Sequence, residues 1–228
     1  MQRILSAVAV LLFGLIFASI AIGYGTPSAL RPLAESYVQL VPRELGAPNV
    51  ITGILLTYRA FDTLGEVAVL FMVAAGVGLV LAGQAERSGD EPRVATPASE
   101  IVRTAAQILV PLIAIFSAYI IMNGHISAGG GFQGGAVIAS AVLLLLLANP
   151  SQALNGAFLS IAESLAGVLF VLVGMAGLAF AGGFLDSRVL PMGEFGAFFS
   201  AGAIPLLSVL LGVKVGCELS VILDRFRS

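Results

Sequence analysis

Between Arg103 and Glu163 the chain carries no Asp, Glu, Lys or Arg. A soluble domain of ordinary composition draws about 25% of its residues from these four types, and so long an uncharged stretch leaves it no polar face to present to water. The rest of the chain is similar in kind: 58% of its residues are hydrophobic, 11% are charged, and the mean hydropathy is +1.04. Lipid is the solvent such a sequence suits.

A helix crosses the hydrocarbon core with roughly 20 mainly apolar residues. Six runs approach that length: Ile4–Tyr24, Val67–Gly83, Ile108–Met122, Ala136–Ala148, Leu165–Phe184 and Phe195–Val213. They predict an all-α integral membrane protein with six transmembrane helices and a glycine-rich turn between the third and fourth. The first run is long for a signal peptide, and no clear small-x-small cleavage site precedes "YGTPSALRP", so it reads as a retained anchor. The fourth, "AVIASAVLLLLLA", is too short unless the glycine-rich segment before it also enters the membrane. Basic residues near span ends stay cytoplasmic. With both termini inside, Arg3, Arg87, Arg93, Arg103, Arg225 and Arg227 fall on that side, while Arg31, Arg43, Arg59 and Arg188 fall outside. The expected location is a prokaryotic cytoplasmic membrane, crossed several times.

"GQAERSGDEPRVATPASE" is the one convincing linker, rich in charge, proline and small polar residues. It divides the chain into a two-span module over 1–83, a cytoplasmic linker over 84–100 and a four-span module over 101–228. Pro111 and Pro205 fall inside predicted spans and are expected to bend them. "LAESYVQLV" can form a short interfacial helix or a solvated cap. Gly167, Gly174 and Gly177 give the fifth span a small-residue surface suited to close packing against partner subunits.

The third and fourth spans are joined by "GHISAGGGFQGG", which holds the only histidine. Gly129, Gly131 and Gly134 match GxGxxG, yet no strand precedes them and no acidic residue stands at the ribose-binding offset, which rules against a dinucleotide site. Glycine instead permits positive φ and close backbone approach. Gly124, Gly129, Gly130, Gly131, Gly134 and Gly135 therefore read as the residues of a tight turn or membrane re-entry. His125 titrates near neutral pH, so it is a proton-relay candidate and equally an interfacial hydrogen-bonding residue.

Three further charged groups need an explanation. In "YRAFDTLGE", Arg59, Asp62 and Glu66 share one helix face, and Asp62 can pair with Arg59, which leaves Glu66 nearest the apolar run. A carboxylate there marks an ion or proton path, or anchors a helix start. Lys214 and Glu218 lie four apart in "GVKVGCELSVI" and can pair near the cytoplasmic end; Lys214 serves there as a snorkelling anchor or as a proton-exchange group. Glu163 is a helix-start carboxylate or a site. Cys217 is the only cysteine, so neither an internal disulfide nor a Cys/His metal site is available to it. No metal site, catalytic constellation or phosphate loop is evident, and a net charge of -2 offers nucleic acid no basic field. Any chemistry in this chain is expected to be ion movement.

Over 101–228 the sequence "RTAAQILVPLIAIFSAYIIMNGHISAGGGFQGGAVIASAVLLLL", followed by "GAIPLLSVLLGVKVGCELSVI", resembles the B subunit of Mrp-type multisubunit cation/proton antiporters and its relatives in membrane-bound energy-converting hydrogenases. Ala128 departs from the proline that family favours. "YRAFDTLGEVAVL" is similar to the "RGFDTLGE" segment near the C-terminus of the large antiporter subunit, with Ala60 in place of glycine. In membrane-bound hydrogenases that region is a separate small subunit, so the chain looks like a fusion of the two. Absence of the many-span antiporter core favours a hydrogenase-type or other ferredoxin-linked complex over a conventional Mrp antiporter. The resemblance implies a non-redox subunit of a sodium/proton-translocating module, with Glu66 as the acidic group of the ion path and Asp62 and Arg59 beside it. Its implied partners are other Mrp-like antiporter subunits, redox subunits carrying Fe-S clusters, and the lipid bilayer. No cofactor is expected in the chain itself beyond transiently bound Na+. The rival reading is a purely structural membrane subunit.

Overall fold

In lipid, a spanning segment must satisfy its own backbone amides, and a helix does so within one segment. The structure, a computed structural model, describes residues 2–25, 29–88, 98–151 and 153–227, with side chains described at all of these except 2–3, 82–88 and 227. Six of its helices are long and apolar enough to cross a membrane. They are α1 (Gln2–Gly23), α4 (Ala60–Ser88), α5 (Glu100–Met122), α6 (Gly131–Ala148), α7 (Gly156–Phe180) and α8 (Ile204–Arg227). Two shorter helices, α2 (Pro32–Leu45) and α3 (Val50–Gly53), lie between α1 and α4, and α3 continues into a π-helical turn over Ile54–Tyr58. The described residues contain no strand.

Packing divides the chain into two units, Met1–Ser36 and Tyr37–Ser228. In the first, α1 is apolar on all sides and its described side chains are exposed, as suits a helix that meets lipid around its circumference. The second is organised around α8, against which α4, α5, α6 and α7 all pack, while α5 also packs on α6. Its core joins Val41 and Leu45 of α2 to Leu56, Phe170, Leu185, Ile204, Leu207, Leu211 and Val215. "LAESYVQLV" is therefore helical, and the last turn of α2 is built into the core.

Helix starts follow local chemistry. The side chains of Asn49, Ser99 and Asn155 accept hydrogen bonds from the amides of Thr52, Val102 and Phe158, capping α3, α5 and α7. Pro205 sits in the first turn of α8, where an amide proton would have had no helical partner, so it does not interrupt the span as expected. Pro111 does lie inside α5.

Several span boundaries differ from expectation. α4 begins at Ala60 and takes Asp62 and Glu66 into its first turns; it runs to Ser88, so residues 84–88 of the expected linker are helical. Residues 89–97 of that linker lie outside the described residues. α6 starts at Gly131, so the glycine-rich segment does supply the missing length of the fourth span. The largest shift is in the last span. The stretch Phe195–Ala203, apolar enough to read as helix, instead makes turns, with positive φ at Gly196, Ala201 and Gly202, and α8 begins only at Ile204. The fifth-span glycines also differ from expectation. A side chain at Gly174 would meet Phe184, and one at Gly177 would meet the backbone of Gly183 and Asp186, so both serve packing within the chain rather than a partner surface.

Candidate functional site

The shift of α8 moves Lys214 from the end of a span to its middle, about 15 Å along the axis from Ile204. There its ammonium donates to two carboxylates, Glu163 Oε1 of α7 at 3.0 Å and Glu218 Oε2 one turn on in α8 at 3.0 Å. The three side chains are 8%, 16% and 1% exposed. The Lys214 stem lies along Gly167 of α7, whose missing side chain leaves it room. The expected pairing of Lys214 with Glu218 is thus present, but as part of a buried triad rather than at a helix end. Glu163 joins it from the third turn of α7 instead of opening the helix. Glu218 Oε1 is buried and has no hydrogen-bond partner among the described residues.

A second polar cluster lies at the N-terminal end of α8, where the α5–α6 turn, α3 and the α7–α8 connection meet. Asn49 donates from its side-chain amide to the carbonyls of Gly124 and Ser127, both at 2.7 Å, and its backbone amide donates to the carbonyl of His125 at 3.0 Å. Thr52 Oγ1 donates to the Gly124 carbonyl at 2.8 Å. His125 is fully buried, and Nε2 donates to the Ala197 carbonyl at 3.4 Å, the only role a carbonyl partner allows. Burial lowers the pKa of its imidazole below the usual 6.5, opposed in part by the Ala197 carbonyl. Nδ1 has no partner among the described residues.

The six glycines divide between two tasks. Gly129 and Gly130, at φ 154 and 153, form the turn with Gly124, which lies against the Gly130 backbone. Gly131, Gly134 and Gly135 lie in α6 itself. A side chain at Gly131 would strike the Ser208 carbonyl, one at Gly134 would strike Ile121, and one at Gly135 would sit 2.7 Å from Val215 Cβ. These three set how closely α6 approaches α5 and α8. Ser117 Oγ takes advantage of that approach and donates to the Gly134 carbonyl at 2.7 Å.

The face predicted from "YRAFDTLGE" is formed but not buried. Arg59 and Asp62 make an exposed ion pair, and Glu66 is exposed on the same helix with no ion-pair partner among the described residues. Among the described residues no hydrogen bond or ion pair joins it to the Lys214 triad or the His125 cluster. Close by in sequence, Tyr58 donates to Glu44 Oε2 at 2.7 Å and its hydroxyl pKa is pushed up, by burial first and then by that carboxylate. Beyond α7, Asp186 is clasped by the Arg188 guanidinium, which holds its carboxyl below the usual range against the opposing effect of burial. Among the described residues no group of three or more His, Cys, Asp and Glu side chains could hold a metal ion.

Sequence reasoning missed Asn49 and Thr52. The signal was a helix cap, Asn49 ahead of "VITG", which announces α3 but gives no hint of a contact with Gly124.

Residues 101–221 match the family model described as a domain related to the MnhB subunit of Na+/H+ antiporter. The chain belongs to the MnhB-related family. Residues 1–85 of this MnhB-related chain match a second model, MbhE, which describes the E subunit of MBH. Both halves of the resemblance are therefore present, the B-like module and the hydrogenase small-subunit segment. The uncharacterized protein MJ1307 of Methanocaldococcus jannaschii is 31% identical over 200 residues, covering 76% of this chain and 74% of that one. The B subunit of the Na(+)/H(+) antiporter of Bacillus subtilis is 38% identical over 81 residues, 36% of this chain and 51% of that protein. Among solved structures, a chain of the membrane-bound sulfane sulfur reductase, an archaeal respiratory membrane complex, superposes with a TM-score of 0.82 at 35% identity, covering 99% of this chain and 97% of that one. A chain of the Mrp complex from Dietzia sp. DQ12-45-1b superposes at 0.73 over 98% of this chain and 26% of its own length; at 24% identity this is a likeness of fold.

Proposed function

We propose that this MnhB-related protein is a non-redox membrane subunit of a multisubunit sodium/proton-translocating module, within a membrane-bound hydrogenase or related ferredoxin-linked complex. The observation that carries this reading is the end-to-end likeness, at 35% identity, to a chain of a respiratory membrane complex. Its partners in this proposal are other Mrp-like antiporter subunits and, through them, redox subunits with Fe-S clusters, and Na+ is at most a transient ligand. The modules over 1–83 and 101–228 represent two subunits joined through the linker, and both termini are cytoplasmic.

The geometry supports the subunit reading independently. Glu66 is exposed on a spanning helix, where a lone carboxylate facing lipid is costly, so a partner or a wet cavity has to cover it. It is assigned the acidic position of an ion path at a subunit boundary, beside Arg59 and Asp62. His125 holds the end of the four-helix module together, with Nδ1 as the atom open to a proton.

Gentle-detergent purification through a tag on this chain, followed by identification of the co-purifying proteins, tests the reading. Antiporter-like together with redox subunits are expected. Antiporter subunits alone would move the chain to a conventional Mrp complex, and a solitary protein would overturn the proposal.

A further inference from the structure

The Lys214 triad has a charge count that does not close. With all three groups ionised it carries two negative charges against one positive, in the middle of a helix bundle. Among the described side chains, the helices packed around it place no second cation in contact with the triad. α6 has no titratable side chain at all, and the ionisable groups of α4 and α5 other than Tyr119 lie near the ends of those helices. On α8 the nearest titratable neighbour is Cys217, which is neutral as a thiol, while Asp224 and Arg225 lie beyond the next turn. An uncompensated charge taken out of water is strongly disfavoured, and neutralisation by a proton is the ordinary remedy.

The two carboxylates are not equivalent hosts for that proton. Glu163 is 16% exposed, whereas Glu218 is 1% exposed and leaves Oε1 buried with no hydrogen-bond partner among the described residues. A carboxylate oxygen in that position has lost its water and gained nothing.

We propose that the Glu163–Lys214–Glu218 triad is a single-proton exchange site in which Glu218 carries the proton on Oε1. This rests on the reading that the chain works inside an ion-translocating assembly, and it names the proton as what this chain handles. In the loaded state Lys214 is balanced by Glu163 alone and the triad is neutral. On release, the O–H bond of Glu218 breaks, the proton passes to a water molecule as hydronium, and the electron pair stays on the carboxylate. Lys214, already within hydrogen-bond reach of both acids, then shifts toward Glu218. Reprotonation reverses the step. Lys214 is a positioning residue, and Glu218 is the group that exchanges the proton.

The test uses the complex purified through this chain and infrared difference spectra recorded across a pH titration, in which a protonated carboxyl gives its own C=O stretching band. Wild-type complex is expected to show a band that Glu218→Gln abolishes at every pH and that Glu163→Gln, which leaves Lys214 to balance Glu218 alone, moves to lower pH, and Glu218→Gln complex in vesicles is expected to lose proton translocation while keeping its partners. Should Glu218→Gln fail to assemble, Glu218→Asp retains a carboxyl and is expected to shift the band. A band unmoved by either Glu218 variant, or absent from wild type, would overturn the proton assignment while leaving the subunit reading intact. Loss of all co-purifying partners from wild type would overturn that reading instead.

Discussion

The backbone amide of Asn49 donates to the carbonyl of His125, and the Asn49 side chain donates to the carbonyls on either side, those of Gly124 and Ser127. One residue thus satisfies three oxygens of a turn that has no secondary structure of its own. Replacing it with Ala strands the Ser127 carbonyl, at about 1–3 kcal/mol if water cannot reach it, and leaves the Gly124 carbonyl to Thr52 alone. Asn49→Ala is expected to lower the thermal midpoint of the detergent-solubilised protein clearly. Asn49→Asp, which keeps the α3 cap but loses both donors, should be at least as damaging. An unchanged midpoint for both would show that the clasp contributes nothing.

Acidification should loosen the same end. Above pH 6.5 His125 is neutral in both folded and unfolded chains and adds no pH dependence. As pH falls through 6.5 the unfolded chain takes up the proton first, because burial lowers the folded value, so stability drops until the folded imidazole also titrates. Asp186 acts in a lower window, its stabilising contribution being present above the usual 3.8 and lost as pH falls through the depressed folded value. Thermal midpoints measured from neutral to mildly acid pH should decline in the wild type. His125→Gln should flatten that decline, and an equal slope in the variant would remove His125 as its source.

Gly135→Val should separate α6 from α8. Its branches would enter space held by Val215 and by the Gly212 carbonyl, and overpacking of this kind costs about 1–3 kcal/mol. Gly76→Ala on α4 is the control, because nothing lies within 4 Å of a Cβ built there. The first variant is expected to fall in thermal stability and yield, while the second holds. Equal behaviour would mean that the close helix approach is dispensable.

Glu66→Gln separates the transport reading from a purely structural one. Assembly with lost ion translocation in reconstituted vesicles is expected. Intact translocation would remove Glu66 from the path.

Much of this fold can be read in the sequence because lipid enforces length and polarity so strictly. Six spans and the resemblance at both ends of the chain rest on patterns within a few tens of residues. Span boundaries were less legible. In Phe195–Ala203 the hydropathy suits a helix, and only the glycines and the strained Ala201 (φ 61) reveal a folded connection. That one misreading placed Lys214 at a helix end. The Glu163 contact then stayed hidden, because the two residues lie on different helices and no local spacing links them. The glycines of "GHISAGGGFQGG" were legible as a group, but their division between turn and helix packing depended on what α8 brings opposite them.

The π-helical turn at Ile54–Tyr58 has a consequence for orientation. Its wide loop, closed by the Arg59 amide on the Ile54 carbonyl at 2.7 Å, accommodates one residue more than an α-helix would. Each α-helical residue advances the azimuth by about 100°. The turn therefore acts as a phase setter between the Asn49–Thr52 clasp and the Arg59–Asp62–Glu66 face. A one-residue deletion there would leave every side chain of that face chemically intact and point it at a different neighbour.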